Sequence, residues 1–309
     1  MSVRELVVLG TSSAVPTPRR NHNGYFLRFD THGILLDPGE GTQLQMRRAG
    51  VTAHDLTRIL ITHFHGDHCL GLPGVIQRIA RDRACQPIHA AYPADGAAYW
   101  HRLRNATAFD DTTDIREQPL TGESADLGGD PGITVQARAL AHRIPCYGYR
   151  IAEPDGWSLR PEALARHGIT GPAAGELKRR GEVTTPAGER VALHQCAVRR
   201  PGQAVAFVLD TAPCAAAEEL ARDADLLVIE ATYLHAHHHL AAAYGHLTAA
   251  QAGAIATRAG AHHLVLTHFS ERYDTDDDSR FAAEAATAFG GPVTVATDLC
   301  RVALPARRR

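Results

Sequence analysis

The sequence predicts an α/β fold with polar side chains at the ends of its strands. Short apolar stretches with strand character alternate with helical stretches, and several of these strands end at a histidine or a carboxylate. The run from Ile61 to His68 adds three histidines and one aspartate within six positions. Because α/β architectures place their sites at the carboxyl ends of strands, these patterns point to one site.

The strands are predicted from apolar, β-branched runs bounded by turn residues. They cover residues 5–10, 24–30, 33–37, 55–62, 88–92, 133–140, 204–209, 226–229 and 265–267. The second and third form a hairpin around Thr31 and His32, and the first ends in a turn at Gly10. A helix is expected to begin near His68 and run through Ala80, because an amphipathic pattern follows a permissive glycine.

The histidine run has the spacing of a two-metal site. Alternate residues of an extended segment point the same way, so His63 and His65 can bind one ion. After a turn at Gly66, Asp67 and His68 can bind a second ion from the other side. Zinc is favoured, although manganese, iron or cobalt accept the same ligands. The alternative, a histidine-rich surface loop, is disfavoured because no other six-residue segment of the chain combines three histidines with a carboxylate.

Further candidate site residues follow other predicted strands. His142, Asp210 and Glu230 each stand at the end of an apolar strand. His268 is a candidate because the segment LITHF, which contains His63, recurs around it as VLTHF. The recurrence indicates either a remote duplication or a coincidence between short apolar runs.

Composition bounds the class of protein. The 309 residues are 44% hydrophobic, which suits a buried core, and the net charge of −2 gives no global basic field. Six cysteines are scattered without CxxC pairs, so reduced thiols and a cytoplasmic location are expected. No stretch of about eighteen apolar residues occurs, so no membrane span is expected.

A segment rich in glycine, proline and charge interrupts the pattern of strands. Residues 156–195 are predicted to form a flexible arm inserted into a single domain of residues 1–309. Lys178, Arg179 and Arg180 form its basic tip. A surface loop without a binding role is the alternative, because long insertions are tolerated thermodynamically.

The candidate ligands resemble the seven-ligand, two-metal set of the metallo-β-lactamase superfamily. The seven are His63, His65, Asp67, His68, His142, Asp210 and His268. This resemblance implies an αβ/βα four-layer sandwich with the two-metal site along one edge. More narrowly, the chain resembles the ribonuclease Z family of tRNA 3′ processing endonucleases, through residues 9–12, 37–43, 61–68, 142–151, 230–233, 246–248 and 266–273. The basic arm resembles the tRNA-binding arm of that family.

The resemblance implies a role for each candidate. One ion would be held by His63, His65 and His142, and the other by Asp67, His68 and His268. Asp210 would bridge the two, which are expected to be Zn²⁺ ions, since each carboxylate oxygen can take one metal. Asp67 would be the general base, and His246, oriented by Glu230, would protonate the leaving ribose 3′ oxygen. In the alternatives, His246 is a solvated loop histidine and Glu230 a purely structural hydrogen-bond acceptor.

The implied function is zinc-dependent removal of the 3′ trailer from precursor tRNA, which leaves a 3′-hydroxyl on the tRNA and a 5′-phosphate on the trailer. Lys178, Arg179 and Arg180 would touch backbone phosphates rather than read bases. A homodimer is expected, with the arm of one subunit presenting tRNA to the metal site of the other. The alternative function is a dimetal phosphodiesterase acting on small phosphodiesters or cyclic nucleotides, which would need the metals but not the arm.

Overall fold

The computed structural model describes residues 3–128 and 130–306, which form two compact units. The larger unit contains residues 3–128, Asp130, residues 134–151 and residues 204–305. The smaller contains residues 131–133 and 152–203. Within the described part of the chain, no helix is long and apolar enough to cross a membrane.

The first sheet of the larger unit has seven strands among the described residues. They are β1 (Arg4–Gly10), β2 (Gly24–Phe29), β3 (His32–Leu36), β4 (Arg58–Leu60), β5 (Ile88–Pro93), β6 (Ile115–Leu120) and β18 (Arg301–Ala303). Their order across the sheet is β18-β1-β2-β3-β4-β5-β6. The predicted hairpin is β2 and β3, which pair antiparallel from Tyr25 opposite Leu36 to Phe29 opposite His32. From β3 to β6 the neighbours are parallel, so their carboxyl ends lie at one edge.

The second sheet also has seven strands among the described residues. They are β7 (Ser124–Asp126), β8 (Thr134–Ala139), β9 (Tyr147–Ala152), β14 (Ala204–Val208), β15 (Leu226–Glu230), β16 (Leu264–Thr267) and β17 (Val293–Val295). Their order across the sheet is β17-β16-β15-β14-β9-β8-β7. The parallel strands β14, β15 and β16 are buried at every position, which explains their continuous apolar sequences.

In chain order the α-helices of the described residues are α1 (Thr42–Ala49), α2 (Gly66–Cys69), α3 (Leu72–Arg81), α4 (Ala97–Arg104), α5 (Pro161–Arg166), α6 (Pro172–Arg180), α7 (Leu193–Cys196), α8 (Ala215–Ala221), α9 (His238–Tyr244), α10 (Ala249–Ala259) and α11 (Asp278–Ala286). Helices α5, α6 and α7 belong to the smaller unit, and helices of the larger unit cover the outer face of each large sheet. Residues of α1, α3 and α4 share one apolar core with the first sheet, and α8, α10 and α11 share another with the second. Between the sheets, the rings of Tyr25 and Phe207 lie 6.1 Å apart. The larger unit is therefore a helix–sheet–sheet–helix sandwich.

The smaller unit contains the predicted arm, residues 156–195, in folded form. Strand β10 (Gly156–Leu159) pairs with β13 (Ala197–Arg200), and β11 (Glu182–Thr184) pairs with β12 (Arg190–Ala192). An apolar cluster that includes Leu177 lies among its helices. Lys178, Arg179 and Arg180 form the exposed last turn of α6.

Two elements differ from the sequence-based prediction. The strand predicted over 55–62 is only Arg58–Leu60, because Asp55 accepts hydrogen bonds from Thr52 and closes a 3₁₀ turn before it. The helix predicted from His68 is split into α2 and α3 at Gly71. Pro73 explains the restart, since proline is tolerated in the first turn of a helix but not in its interior.

Candidate metal centre

The seven candidate ligands come together in the larger unit, where strands of both sheets end. Strand β4 leads to His63, β14 to Asp210 and β16 to His268. His142 follows β8, and the remaining candidates lie at or beside the short helix α2. The side chains form two groups of nitrogen and oxygen atoms whose members lie within 4.8 Å of one another, and the same distance also joins Asp210 and His268 to His246.

The first group consists of three imidazoles around one oxygen of Asp210. His63 Nε2 lies 2.8 Å from His65 Nδ1, which in turn lies 3.4 Å from His142 Nε2. Asp210 Oδ2 lies 3.6 Å from His63 Nε2 and 3.9 Å from His142 Nε2. Nitrogen lone pairs that converge this closely require a proton or a cation among them, and imidazole with carboxylate is a typical zinc donor set.

The second group faces the other oxygen of Asp210. His68 Nε2 lies 3.2 Å from His268 Nε2, and Asp67 Oδ2 lies 3.3 Å and 3.5 Å from these two nitrogens. Asp210 Oδ1 lies 3.0 Å from His268 Nε2 and 3.4 Å from His68 Nε2. The two groups therefore share one carboxylate, with one oxygen directed to each.

Asp210 has the features of a bridging ligand. Its Oδ1 is buried, and despite the short approach of His268 it accepts no hydrogen bond of good geometry from any described residue. A buried carboxylate oxygen without such a bond is costly, and a cation would satisfy it. Asp210 also has φ = 53°, a conformation that non-glycine residues adopt rarely and that is often found at functional sites.

Outer hydrogen bonds orient several of the imidazoles. Asp37 Oδ2 lies 2.8 Å from His68 Nδ1, and both oxygens of Asp37 accept bonds from Thr62 at 2.7 Å. His142 Nδ1 lies 3.0 Å from the carbonyl oxygen of Gly245. Such contacts fix which ring nitrogen faces the centre and make it a better ligand.

Sequence reasoning did not single out Asp37 as an orienting residue. It follows β3, is fully buried and has φ = 45°. The signal was present, since Asp37 stands at the end of an apolar strand like the other candidates. The sequence did not predict its contact with His68, because the two residues are 31 positions apart in the chain.

The electrostatics of the group favour bound positive charge. Burial by itself would raise the pKa of Asp210, but His268 and His68 hold that pKa well below its usual value. Burial lowers the pKa of His268, but Asp210 and Asp67 outweigh it and raise the pKa to about 10. The carboxylates therefore retain their charge and attract cations, and divalent metal ions can take the place of protons on the imidazoles.

His246 and Glu230 form a pair beside the two donor groups. His246 Nδ1 lies 3.1 Å from Glu230 Oε2 and 4.0 Å from Asp210 Oδ2. Burial lowers the pKa of His246, but Glu230 outweighs it and raises that pKa. Glu230 is fully buried and also accepts bonds from the backbone nitrogens of Thr211, at 2.6 Å, and Leu247, at 3.1 Å. Glu230 thus has structural partners besides the histidine.

A cleft of about 530 Å³ opens onto this centre. Its walls include residues of both donor groups and also His246. Exposed side chains that line it include Val15, Leu70 and Arg272. The cleft gives a substrate access to the metal-ligating atoms.

Comparison with known proteins identifies the family. Ribonuclease Z of Thermobifida fusca is 60% identical over 308 residues, which span 100% of this chain and 97% of the relative. Ribonuclease Z of Nocardia farcinica is 53% identical over 308 residues, which span 100% of both chains. The crystal structure of the short form of human tRNase Z superimposes with a TM-score of 0.70 at 25% identity and covers 97% of this chain and 99% of that one.

Two family models match parts of the chain, and a further structure shares its fold. Residues 4–93 match the model described as anti-Pycsar protein Apyc1, and residues 172–269 match the beta-lactamase superfamily domain. The metallo-β-lactamase fold protein YhfI from Bacillus subtilis has a TM-score of 0.69 at 18% identity and covers 98% of this chain and 99% of that one. The predicted αβ/βα fold is confirmed. The chain belongs to the ribonuclease Z family, metal-dependent endoribonucleases of the metallo-β-lactamase superfamily.

Proposed function

We propose that this protein removes 3′ trailers from precursor tRNA with two Zn²⁺ ions, leaving a 3′-hydroxyl on the tRNA and a 5′-phosphate on the trailer. The relatives named ribonuclease Z support the substrate and the reaction. The observation that carries the two-metal chemistry is the position of Asp210, whose two oxygens each face a separate group of donors. A single-metal site would not need this shared carboxylate.

The grouping of the donor atoms supports a set of ligands for each ion. His63, His65 and His142 would hold one ion, Asp67, His68 and His268 the other, and Asp210 both. When bound, the ions would act as Lewis acids and lower the pKa of an attacking water molecule. The protein contributes oriented imidazoles, a charged carboxylate bridge and a cleft that exposes the phosphate to attack.

Asp67 is our candidate for the general base. Its Oδ2 lies against His68 and His268, whereas its Oδ1 has no hydrogen-bond partner among residues 3–128 and 130–306. Asp67 also lines the cleft and is 8% exposed. One oxygen can therefore remain a ligand while the other accepts the proton of the attacking water.

His246 is our candidate for the general acid that protonates the leaving 3′ oxygen. Glu230 binds its Nδ1 and stabilises the protonated ring, which leaves Nε2 to donate. The side chain is 14% exposed and lines the cleft, so the leaving group can reach it. The same Glu230 also binds Thr232, whose hydroxyl contacts His268 Nδ1 at 2.8 Å, and so links the acid to the ligand set.

Replacing His246 with alanine should lower the single-turnover rate of precursor tRNA cleavage by about 10² to 10⁴-fold, the usual contribution of a general acid. Zinc content should stay at the wild-type level, because His246 is outside both sets of assigned ligands. The matched control is His239→Ala, an exposed histidine on α9 that should leave the rate unchanged. An unchanged rate in His246→Ala would remove this residue from the mechanism.

The substrate grip, assembly and location are parts of the same proposal. Lys178, Arg179 and Arg180 would contact tRNA backbone phosphates, since they are exposed and share one helical turn. The chain would act as a homodimer in the cytoplasm. Its cysteines are free thiols, as is usual in a reducing compartment.

Metal removal tests the proposed chemistry. Dialysis against a chelator should abolish cleavage of a precursor tRNA, and about two equivalents of Zn²⁺ per chain should restore it. Mn²⁺ and Co²⁺ titrations, run in parallel, compare the other metals that accept these ligands. Full cleavage by protein that metal analysis shows to be metal-free would contradict the two-metal mechanism.

A further inference from the structure

The rim of the cleft carries an aromatic ring and a guanidinium that the proposed mechanism does not use. Tyr244 is the last residue of α9 and is 45% exposed. Arg143 directly follows His142 and is also exposed. Both line the cleft, and Arg143 Cζ lies 5.6 Å from the centroid of the Tyr244 ring. This distance is within the range of a cation–π contact.

Neither side chain is engaged elsewhere in the described parts of the chain, residues 3–128 and 130–306. Arg143 forms no ion pair with a carboxylate there, and Tyr244 packs against no other ring. The guanidinium thus keeps its donors for an anion, and the tyrosine keeps exposed aromatic surface. An arginine beside an aromatic ring matches the phosphate and the base of one nucleotide.

A contact between the His142 ring and the backbone of Gly245 holds this pair beside the metal centre. His142 Nδ1 is 3.0 Å from the carbonyl oxygen of Gly245, which ends α9 with φ = 74°. Arg143 directly follows His142, and Tyr244 directly precedes Gly245, so the contact between His142 and Gly245 brings Arg143 and Tyr244 together. His246, the proposed acid, is the residue after Gly245. A nucleotide held by this pair would lie next to the phosphate under attack.

Further exposed apolar side chains make the cleft suitable for bases. Leu70 is 52% exposed and Val15 is 48% exposed, and both line the cleft. Such side chains gain nothing from a free phosphate, but they can pack against the faces of nucleobases. The chemistry of the rim therefore indicates a nucleotide rather than an inorganic anion.

We propose that Arg143 and Tyr244 form a nucleotide subsite beside the scissile phosphate, with the ring stacking on a base and the guanidinium binding the neighbouring phosphate. This inference rests on the proposed function and adds a substrate-binding site to it. Stacking tolerates any base, because every base has a π face, so the subsite would bind without reading sequence. It would position the RNA after the arm has captured the tRNA.

The test compares Tyr244→Ala, Tyr244→Phe and Arg143→Ala with the wild type on a precursor tRNA. Tyr244→Ala should lower kcat/KM by roughly 5- to 150-fold, the range for loss of one stacked base. Tyr244→Phe should stay within about twofold, because the ring is retained. Arg143→Ala should weaken binding and reduce the slope of log affinity against log salt by about one unit. Zinc content should be unchanged in all three variants.

The chain offers a matched control on α4. Arg102 Cζ lies 5.8 Å from the ring of Tyr99, which is 52% exposed but does not line the cleft. The ring of Tyr99 also packs against Phe64, beside the ligands His63 and His65, so the control variant is Arg102→Ala, which should cleave precursor tRNA like the wild type. An equal loss in Arg102→Ala and Arg143→Ala would overturn the proposal, and so would wild-type kinetics in Tyr244→Ala.

Abasic substrates identify the base that is bound. With one base removed on the 5′ or on the 3′ side of the scissile phosphate, one of the two substrates should no longer distinguish Tyr244→Ala from the wild type. Sensitivity to Tyr244→Ala that persists in both abasic substrates would contradict stacking. If the wild type fails to cleave precursor tRNA at all, the proposed function itself falls, a result distinct from the failure of the subsite alone.

Discussion

Asp210→Asn should abolish cleavage of precursor tRNA and remove bound zinc from both donor groups. The carboxylate shared by the two groups becomes a neutral amide, so each ion loses a charged ligand. Because metal ions supply several kcal/mol of transition-state stabilisation, a loss of about a thousandfold or more is expected. Single-turnover cleavage and metal analysis of the purified variant measure both effects.

The choice of asparagine separates this effect from misfolding. Asparagine tolerates the left-handed backbone conformation of residue 210, where φ is 53°, and has the same shape as aspartate. In a chelator, the thermal midpoints of variant and wild type should therefore be similar. A comparison with His65→Ala sharpens the test, because His65 belongs to one donor group only and its loss should affect mainly one ion. Retention of two zinc ions by Asp210→Asn would contradict the bridging role.

Replacing residues 160–196 with a short glycine-rich turn should raise KM for precursor tRNA greatly while sparing hydrolysis of bis(p-nitrophenyl) phosphate. Leu159 and Ala197 are register partners at one end of the antiparallel pair β10 and β13, so a short turn can join the two strands at these positions. The reason for the split is that a small phosphodiester needs the metal centre but not the arm. Steady-state kinetics on both substrates measure it, and equal loss of both activities would refute an exosite role.

A smaller change isolates the basic tip. Replacing Lys178, Arg179 and Arg180 with alanine should weaken tRNA binding and reduce its salt dependence by about one unit of slope per lost phosphate contact. The matched control is the double variant Arg190→Ala and Arg199→Ala, which removes exposed positive charge from the same unit. Both control arginines are paired with carboxylates, at 2.7 Å from Glu182 and 2.7 Å from Asp155. In the tip, Arg180 is likewise paired with Glu176 at 3.0 Å, so the larger effect expected of the tip variant rests on Lys178 and Arg179.

The sequence carries the identity of the candidate ligands but not their arrangement. The density of histidines around His63 and the position of Asp210 after an apolar run predicted which residues the fold brings together. The division of the two Asp210 oxygens between the groups was implied only by the family resemblance, because it depends on a left-handed backbone and on contacts between distant strands that no local sequence pattern encodes. The orienting role of Asp37 was not predicted, because its contact with His68 joins separate elements of the fold.

The structure of the arm was also only partly predictable from the sequence. Glycine, proline and charge in residues 156–195 predicted a flexible insertion, whereas the structure shows this segment folded into three helices, strands in two antiparallel pairs and an apolar cluster that includes Leu177 and Val191. These apolar residues are too widely spaced along the chain to form a periodic signal. Only the antiparallel pairing of the strands brings them together.

Mapping the cut in a precursor tRNA with a 3′ trailer tests the central claim most directly. Purified protein of known metal content would be incubated with the RNA beside an Asp67→Ala control, and the product ends would be identified. A single metal-dependent cut at the junction of tRNA and trailer, with a 3′-hydroxyl on the tRNA and no cut in the control, is the predicted result. Intact RNA under conditions in which bis(p-nitrophenyl) phosphate is hydrolysed would contradict it and assign the metal centre to small phosphodiesters.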